Sequence, residues 1–113
     1  MSFPEDPIPH FPMGQRVRMF VDFTDAADAA ADPDVVILRY IEGDSDALVD
    51  ILQASLTNPS VGRWQYEINL PLDGNKAGAW LVRFEGTSAS AAGVNAVDEK
   101  RFEVDPSAFY PPS

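Results

Sequence analysis

Apolar and polar residues alternate along several short stretches of this 113-residue chain. A period of two is typical of a β-strand that buries one face, because successive side chains point to opposite sides. The clearest example is residues 63–70, whose apolar positions are Trp64, Tyr66, Ile68 and Leu70. The same alternation, or a run of β-branched residues, predicts further strands over residues 15–23, 35–40, 80–85 and 101–104.

Residues 46–56 allow two interpretations. Four of the apolar residues lie at helical spacing, namely Leu48, Ile51, Leu52 and Leu56. The same segment can form one strand followed by a short partner near Leu56 and Val61. The segment is short and its neighbours are predicted strands, so we favour the strand. Six or seven short strands without a long helix predict an all-β protein, in the form of an antiparallel β-sandwich.

Prolines crowd both ends of the chain: four lie within the first 12 residues and three within the last eight. Proline cannot donate a backbone hydrogen bond and fixes φ, so these ends are predicted to be extended arms rather than strands or helices. The chain is thereby divided into an N-terminal arm (residues 1–13), a β-sandwich body (14–105) and a C-terminal tail rich in proline and aromatic residues (106–113).

Both arms carry apolar side chains, where a merely solubilising tail would carry Gly, Ser, Lys or Glu. A stiff backbone without internal hydrogen bonds presents such side chains to a groove on a partner at low entropic cost. The alternative is that each arm folds back and caps the sandwich of its own chain, and the sequence leaves both open. The candidate partner-binding residues are Phe3, Ile8, Phe11, Met13, Phe109 and Tyr110.

The chain has 18 acidic and 8 basic residues, which give a formal net charge of −10. That charge argues against nucleic acid or an anionic membrane as the partner, because both need a basic face. The absence of cysteine excludes disulfides, thiol catalysis and cysteine-ligated metals. We recognise no signal peptide and no membrane-spanning run, which together with the missing cysteine fits folding in a reducing cytoplasm.

An acidic segment between residues 22 and 34 is a candidate calcium site, because calcium takes six to eight oxygen ligands. The spacing and the loop glycine of an EF-hand are absent, however, and alanines separate the acids. We therefore favour a solvated acidic loop and predict neither a metal nor a cofactor. The aspartates in question are Asp22, Asp25, Asp28, Asp32 and Asp34.

Two further patterns have a chemical and a structural interpretation. Trp64 and Trp80 can form a sugar-stacking platform, but both lie in phase with the apolar residues of their strands, which predicts a place in the core. The single histidine, His10, can be combined with Ser2 and Asp6 as a triad, but a proline-rich arm gives no scaffold for such a geometry. We predict no catalytic residues and no enzyme activity.

Residues 61–68 and 77–87 together contain a recognisable order of features. A glycine and an aromatic-rich strand come first, a turn follows, and then come Gly-x-Trp, an arginine and Glu-Gly. With residues 32–38 and 100–107, this order resembles a recurrent family of small immunoglobulin-like structural proteins of tailed phages and phage-derived particles. The family belongs to the head or head–tail region. The resemblance implies an immunoglobulin-like sandwich in a virion, made in the host bacterial cytoplasm. The cysteine pair of antibody-type domains is missing, so the core must rest on packing alone.

The resemblance also implies a function, that of a non-enzymatic virion structural protein such as a capsid decoration, a head spike or a neck component. We expect the arms to dock to neighbouring subunits, which would be capsid, portal, neck or tail proteins or further copies of the same chain. The alternative is an immunoglobulin-like recognition module that binds a glycan or a host surface through its loops.

Overall fold

The computed structural model describes residues 8–90 and 93–113, which form eight β-strands and three short 3-10 helices. The strands are β1 (His10–Pro12), β2 (Arg16–Asp22), β3 (Val35–Glu42), β4 (Ala47–Ile51), β5 (Thr57–Ser60), β6 (Arg63–Asn69), β7 (Gly78–Thr87) and β8 (Ala96–Asp105). The 3-10 helices are Gly43–Ser45, Gln53–Ser55 and Gly74–Lys76. The all-β class predicted from the alternation is confirmed.

The strands form two sheets. One sheet has five strands in the order β1-β8-β7-β3-β4, and the other has three in the order β2-β6-β5. All neighbouring strands are antiparallel except β1, which runs parallel to the end of β8. Because β1 and β8 lie near opposite ends of the chain, their pairing brings the two ends together at one edge of the larger sheet.

The inward faces of both sheets share one hydrophobic core. Trp80 of β7 is fully buried, and its ring stacks between those of Tyr40 and Phe102 at centroid distances of 5.7 and 5.5 Å. Aromatic contacts of this kind stabilise a core by about 0.5–1.5 kcal/mol beyond the area they bury. The three-stranded sheet contributes Val17, Met19, Val21 and Trp64 to the same core. The predicted core positions of Trp64 and Trp80 are confirmed.

Residues 46–56 contain a strand, as favoured from the sequence. They form β4 and then the short 3-10 helix Gln53–Ser55, which leads into β5. Val49, Ile51 and Leu56 pack against the core, whereas Leu48 and Leu52 are exposed. β5 lies where the short partner near Leu56 and Val61 was expected, so the described residues form eight strands rather than six or seven because β1 lies in a stretch expected to be an arm.

The N-terminal stretch contradicts one expectation. We predicted that its prolines would keep it out of the sheets, but His10–Pro12 pairs with residues 103–105 of β8. Proline is tolerated there because β1 is an edge strand, which needs backbone donors on one side only. The ring of Phe11 packs edge-on against Phe102 at 5.5 Å, so this part of the arm belongs to the folded body.

Candidate docking site

An open depression of about 400 Å³ lies at one end of the molecule, where the C-terminal tail meets the end of β1 and the connection between β6 and β7. We call it the end patch. Three apolar side chains stand exposed around it: Phe109 is 89% exposed, Leu72 55% and Tyr110 41%. Isolated exposed apolar residues are ordinary, but a group of them at one place is typical of an interaction surface. The full lining is Pro12, Met13, Leu72, Asp105, Pro106, Ser107, Ala108, Phe109 and Tyr110.

A turn in the C-terminal tail holds Phe109 in its exposed position. Ser107 and Tyr110 form a β-bridge, and the Tyr110 amide donates to the Ser107 carbonyl oxygen at 3.1 Å. The Phe109 amide donates to the Ser107 hydroxyl oxygen at 3.2 Å, which fixes the residue at the tip of the turn. Local bonds of this type between serine and the backbone are a common way of fixing a turn. The side chain of Phe109 is therefore presented by an ordered backbone.

The last residues of the tail are held against the 3-10 helix Gly74–Lys76. The Asn75 side-chain amide donates to the Ser113 hydroxyl at 3.0 Å, and the Ser113 amide donates back to the Asn75 side-chain oxygen at 3.1 Å. Gly74 lies directly beneath the tail, where a Cβ would overlap the Tyr110 carbonyl oxygen and the Pro111–Pro112 peptide. Glycine is thus required at this position because the tail backbone approaches so closely.

The N-terminal side of the end patch is fixed by a tight turn after β1. Gly14 has a φ of +82°, a conformation that favours glycine, and its amide donates to the Leu70 carbonyl oxygen at 2.9 Å. A Cβ on Gly14 would lie 3.1 Å from the Leu72 side chain, so the turn and Leu72 are in close contact. Met13 is half-buried and packs against the core. Both ends of the chain therefore contribute to the end patch.

The predicted partner-binding residues separate into three groups. Met13, Phe109 and Tyr110 come together around the end patch, although they are some 100 positions apart in sequence. Phe11 lies against the core, and Ile8 is exposed but does not line the patch. Phe3 lies outside the described residues. Residues 10–13 and 110–113 fold back on the sandwich of their own chain, which is one of the two alternatives that the sequence leaves open. Binding of a partner by these residues stays a prediction.

Leu72 is the residue of the end patch that the sequence analysis missed. It lies between Pro71 and the Asp73–Gly74 turn, outside any alternating run. The available signal was a large apolar residue next to a predicted turn, where polar residues are usual. Its position beside the tail follows only from the three-dimensional contact of the tail with Gly74.

Four of the five aspartates of the acidic segment bind groups of their own chain through their carboxylates. Both oxygens of Asp22 accept from the Arg63 guanidinium at 2.7 Å, which lowers the pKa of Asp22 below its ordinary value. Asp25 accepts from the Ala27 and Ala29 amides at 2.8 and 3.1 Å. These carboxylates stabilise loop backbone or pair with arginine. Within residues 8–90 and 93–113, no three His, Cys, Asp or Glu side chains are grouped so as to hold a metal ion.

Asp32 and Asp34, at the end of the same segment, fasten the loop to neighbouring strands and turns. Asp32 accepts from the Gly62 amide at 2.7 Å and from the Trp64 indole N–H at 3.2 Å. Asp34 accepts from the Ala89 amide at 3.0 Å. The fifth aspartate, Asp28, takes a left-handed conformation with φ +61°, which aspartate tolerates better than most residues.

The other residues considered for binding or catalysis, Trp64, Trp80 and His10, make contacts within the chain. Trp64 is 8% exposed and Trp80 is 0% exposed, so neither indole offers a face on which a sugar ring could stack. His10 Nδ1 lies 2.9 Å from the Asp105 carboxylate, and both side chains are exposed at the β1–β8 edge. Ser2 and Asp6, the other members of the considered triad, lie outside the described residues.

Comparison with known proteins identifies no family for this chain. No protein-family model matches the chain, and no curated protein matches it. Across the described residues no helix is long and apolar enough to span a bilayer.

Proposed function

We propose that this chain is a non-enzymatic structural subunit of a phage or phage-derived particle, which attaches to a neighbouring subunit through the end patch. The observation that carries the proposal is Phe109, an aromatic side chain 89% exposed on a backbone that hydrogen bonds hold in place. Apolar side chains are stabilised by leaving water, and a residue whose backbone is already ordered loses less entropy on binding. Such residues are typical anchors of protein–protein interfaces.

The order of the strands supports an immunoglobulin-like body for this subunit. If β2, β6 and β5 are taken as strands B, E and D, then β8, β7, β3 and β4 correspond to G, F, C and C′. Immunoglobulin-like sandwiches with an added C′ strand have these neighbours. The chain reaches this arrangement without cysteine, with the buried ring of Trp80 at the centre of its core.

The charge of the chain indicates the kind of subunit that would fit. Asp105 lines the end patch, Asp73 lies next to Leu72 in the sequence, and the whole chain carries −10. A partner surface with an apolar pocket for Phe109 and Leu72, rimmed by lysine or arginine, would complement it. Several acidic copies can then be held around a basic particle surface, while repulsion disfavours contact between the copies themselves.

The first experiment tests whether the chain is part of a particle. Antibodies against the purified chain, with gold labels, are applied to particles released from cells that carry its gene and viewed by electron microscopy. Regular labelling of the particles is expected. Recovery of the chain only from the particle-free supernatant, with unlabelled particles, would contradict the proposal.

The docking site is tested by sedimentation of the purified chain with particles that lack it. Leu72→Lys places a charge in the end patch, and we expect it to reduce the pelleted fraction at least about tenfold, as the loss of one buried leucine contact would. Val61→Lys is the matched control, because it introduces the same charge at another exposed aliphatic residue, in the turn between β5 and β6. Pelleting of Leu72→Lys at the wild-type level would exclude the end patch as the docking site.

A further inference from the structure

Four strands lie at the edges of the two sheets, and in the described residues three of them are protected against pairing with another chain. The edge strand β1 contains Pro12, and β5 contains Pro59 and a break in its register with β6. Along β2, the Lys100 ammonium donates to the backbone carbonyl oxygen of Phe20 at 3.0 Å. Proline, irregular register and lysine are the usual means of protecting a sheet edge.

The remaining edge strand, β4, has none of these features. It pairs in regular register with β3, and its residues are Ala47, Leu48, Val49, Asp50 and Ile51. No described segment pairs with its other side. Leu48 is 60% exposed. An edge strand without proline, lysine or irregular register offers a row of backbone N–H and C=O groups to which a further strand can bind.

The outer face beside this edge is also apolar. Leu48 of β4 stands opposite Ile41 of β3, which stands opposite Leu81 of β7, so three apolar side chains form a row across three strands. A depression of about 170 Å³ follows this row, and its charged lining residues are Arg39, Arg83, Glu99 and Lys100. A side chain from an added strand can therefore continue the row outward from Leu48.

We propose that β4 is a binding site for an extended segment of another protein, which adds to the five-stranded sheet as a sixth strand with alternating apolar and basic residues. Apolar residues of that segment would lie beside Val49 and Ile51, which face the core. Basic residues would lie on the outer face beside Asp50, with their apolar stems over Leu48. The proposal does not depend on the function of the end patch.

Charge decides between a foreign segment and a second copy of this chain. Asp50 forms a long salt bridge with Arg39, at 3.7 Å from Oδ1 to Nε, and its side chain is half exposed, so a partner cation can still approach its carboxylate. Asp44 and Asp46 lie in the turn that precedes β4. A second copy would bring the same acids and a further net charge of −10 to the edge, whereas a basic segment neutralises them.

The test uses the whole chain and an acetylated, amidated eight-residue peptide of alternating valine and lysine. Its binding is followed residue by residue from the amide signals in nuclear magnetic resonance spectra. We expect shifts and slowed hydrogen exchange centred on β4. A valine–glutamate peptide, and a valine–lysine peptide with alternate backbone N-methyl groups, should bind at least about tenfold more weakly, because they lack the charge and the hydrogen-bond donors respectively.

Two variants with the same change of charge make the assignment specific. Leu48→Lys should weaken binding of the valine–lysine peptide about tenfold or more, since it removes an apolar contact and adds a like charge. Val61→Lys, in the turn between β5 and β6, should leave the affinity within about twofold. Shifts that follow the acidic loop between residues 22 and 34, or equal binding of the N-methylated peptide, would overturn the proposal. So would a peptide-free dimer that Leu48→Lys abolishes, because the occupant would then be a second copy.

Discussion

The two ends of this chain are both rich in proline and contain aromatic residues, but they have different positions in the fold. Each combines prolines with aromatic residues, and the sequence predicts an extended backbone for both. In the structure, Phe11 packs against the core through Phe102, whereas Phe109 is almost fully exposed. Both stretches are held to the body by hydrogen bonds, so the difference lies in where their side chains point.

The difference arises because the two ends pair with different parts of the chain. His10–Pro12 pairs along β8, and the alternation of a strand turns Phe11 toward the core. The C-terminal tail pairs with itself through the Ser107–Tyr110 bridge and rests on the turn at Gly74. A tight turn places its tip residue in solvent. Composition therefore predicts the extended backbone of such arms, while their neighbours decide whether an aromatic residue stabilises the fold or remains available for a partner.

The largest expected effect compares the two phenylalanines directly. Phe11→Ala should lower the free energy of unfolding by about 3 kcal/mol, because it leaves a cavity beside Phe102. Phe109→Ala should change it by less than about 0.5 kcal/mol, since its ring has few contacts to lose. Denaturant unfolding of both variants provides the measurement. Equal losses of unfolding free energy in the two variants would contradict the different roles of Phe11 and Phe109.

A second substitution acts on the contact between the tail and the body. Gly74→Ala should destabilise the chain by about 2 kcal/mol or detach the tail, because the added Cβ overlaps the backbone of residues 110–112. Limited proteolysis should then cut the tail faster than in the wild-type chain. Asn75→Ala is the milder control, which removes the two hydrogen bonds to Ser113 without a clash. Unchanged protection of the tail in Gly74→Ala would show that the tail is not held there.

The smallest effect at neutral pH concerns Tyr40, whose ring stacks against Trp80 in the core. Burial, with a smaller contribution from Glu42, raises the pKa of Tyr40 to about 12, against an ordinary value near 10. The folded state thus favours the neutral phenol. Its contribution to stability is complete below pH 10 and is lost as the pH rises toward 12.

Tyr40→Phe provides the control for this pH dependence. We expect its stability at pH 7 to lie within about 1 kcal/mol of the wild type. Its unfolding free energy should fall less between pH 10 and pH 12, because the titrating group is gone. Parallel pH profiles of the two chains would contradict the buried, neutral state of Tyr40.

Much of the fold follows from the sequence because one face of each strand is buried. Val17, Met19 and Val21 alternate with charged or exposed residues and are buried as predicted, and so are Val82 and Phe84 of β7. Period-two alternation indicates which residues are buried in every sheet that has one solvent-exposed face. The all-β class, with its strands divided between two sheets, is therefore predictable from the alternation alone.

Other features depend on contacts distant in sequence and have no local signal. The parallel pairing of β1 with β8 joins residues more than 90 positions apart, and proline argued against it. The end patch depends on the tail meeting Gly74, so Leu72 could not be placed from sequence alone. The exposed edge at β4 likewise becomes visible only when the order of the strands is known.

The most direct test of the proposed docking role is the environment of Phe109 in an assembled particle. An electron cryomicroscopy map at side-chain resolution would show which surface of the chain contacts its neighbour. We predict that Phe109 and Leu72 are buried in a pocket of an adjacent subunit, with basic residues around the rim. A particle in which the chain is bound while Phe109 remains in solvent would contradict the account.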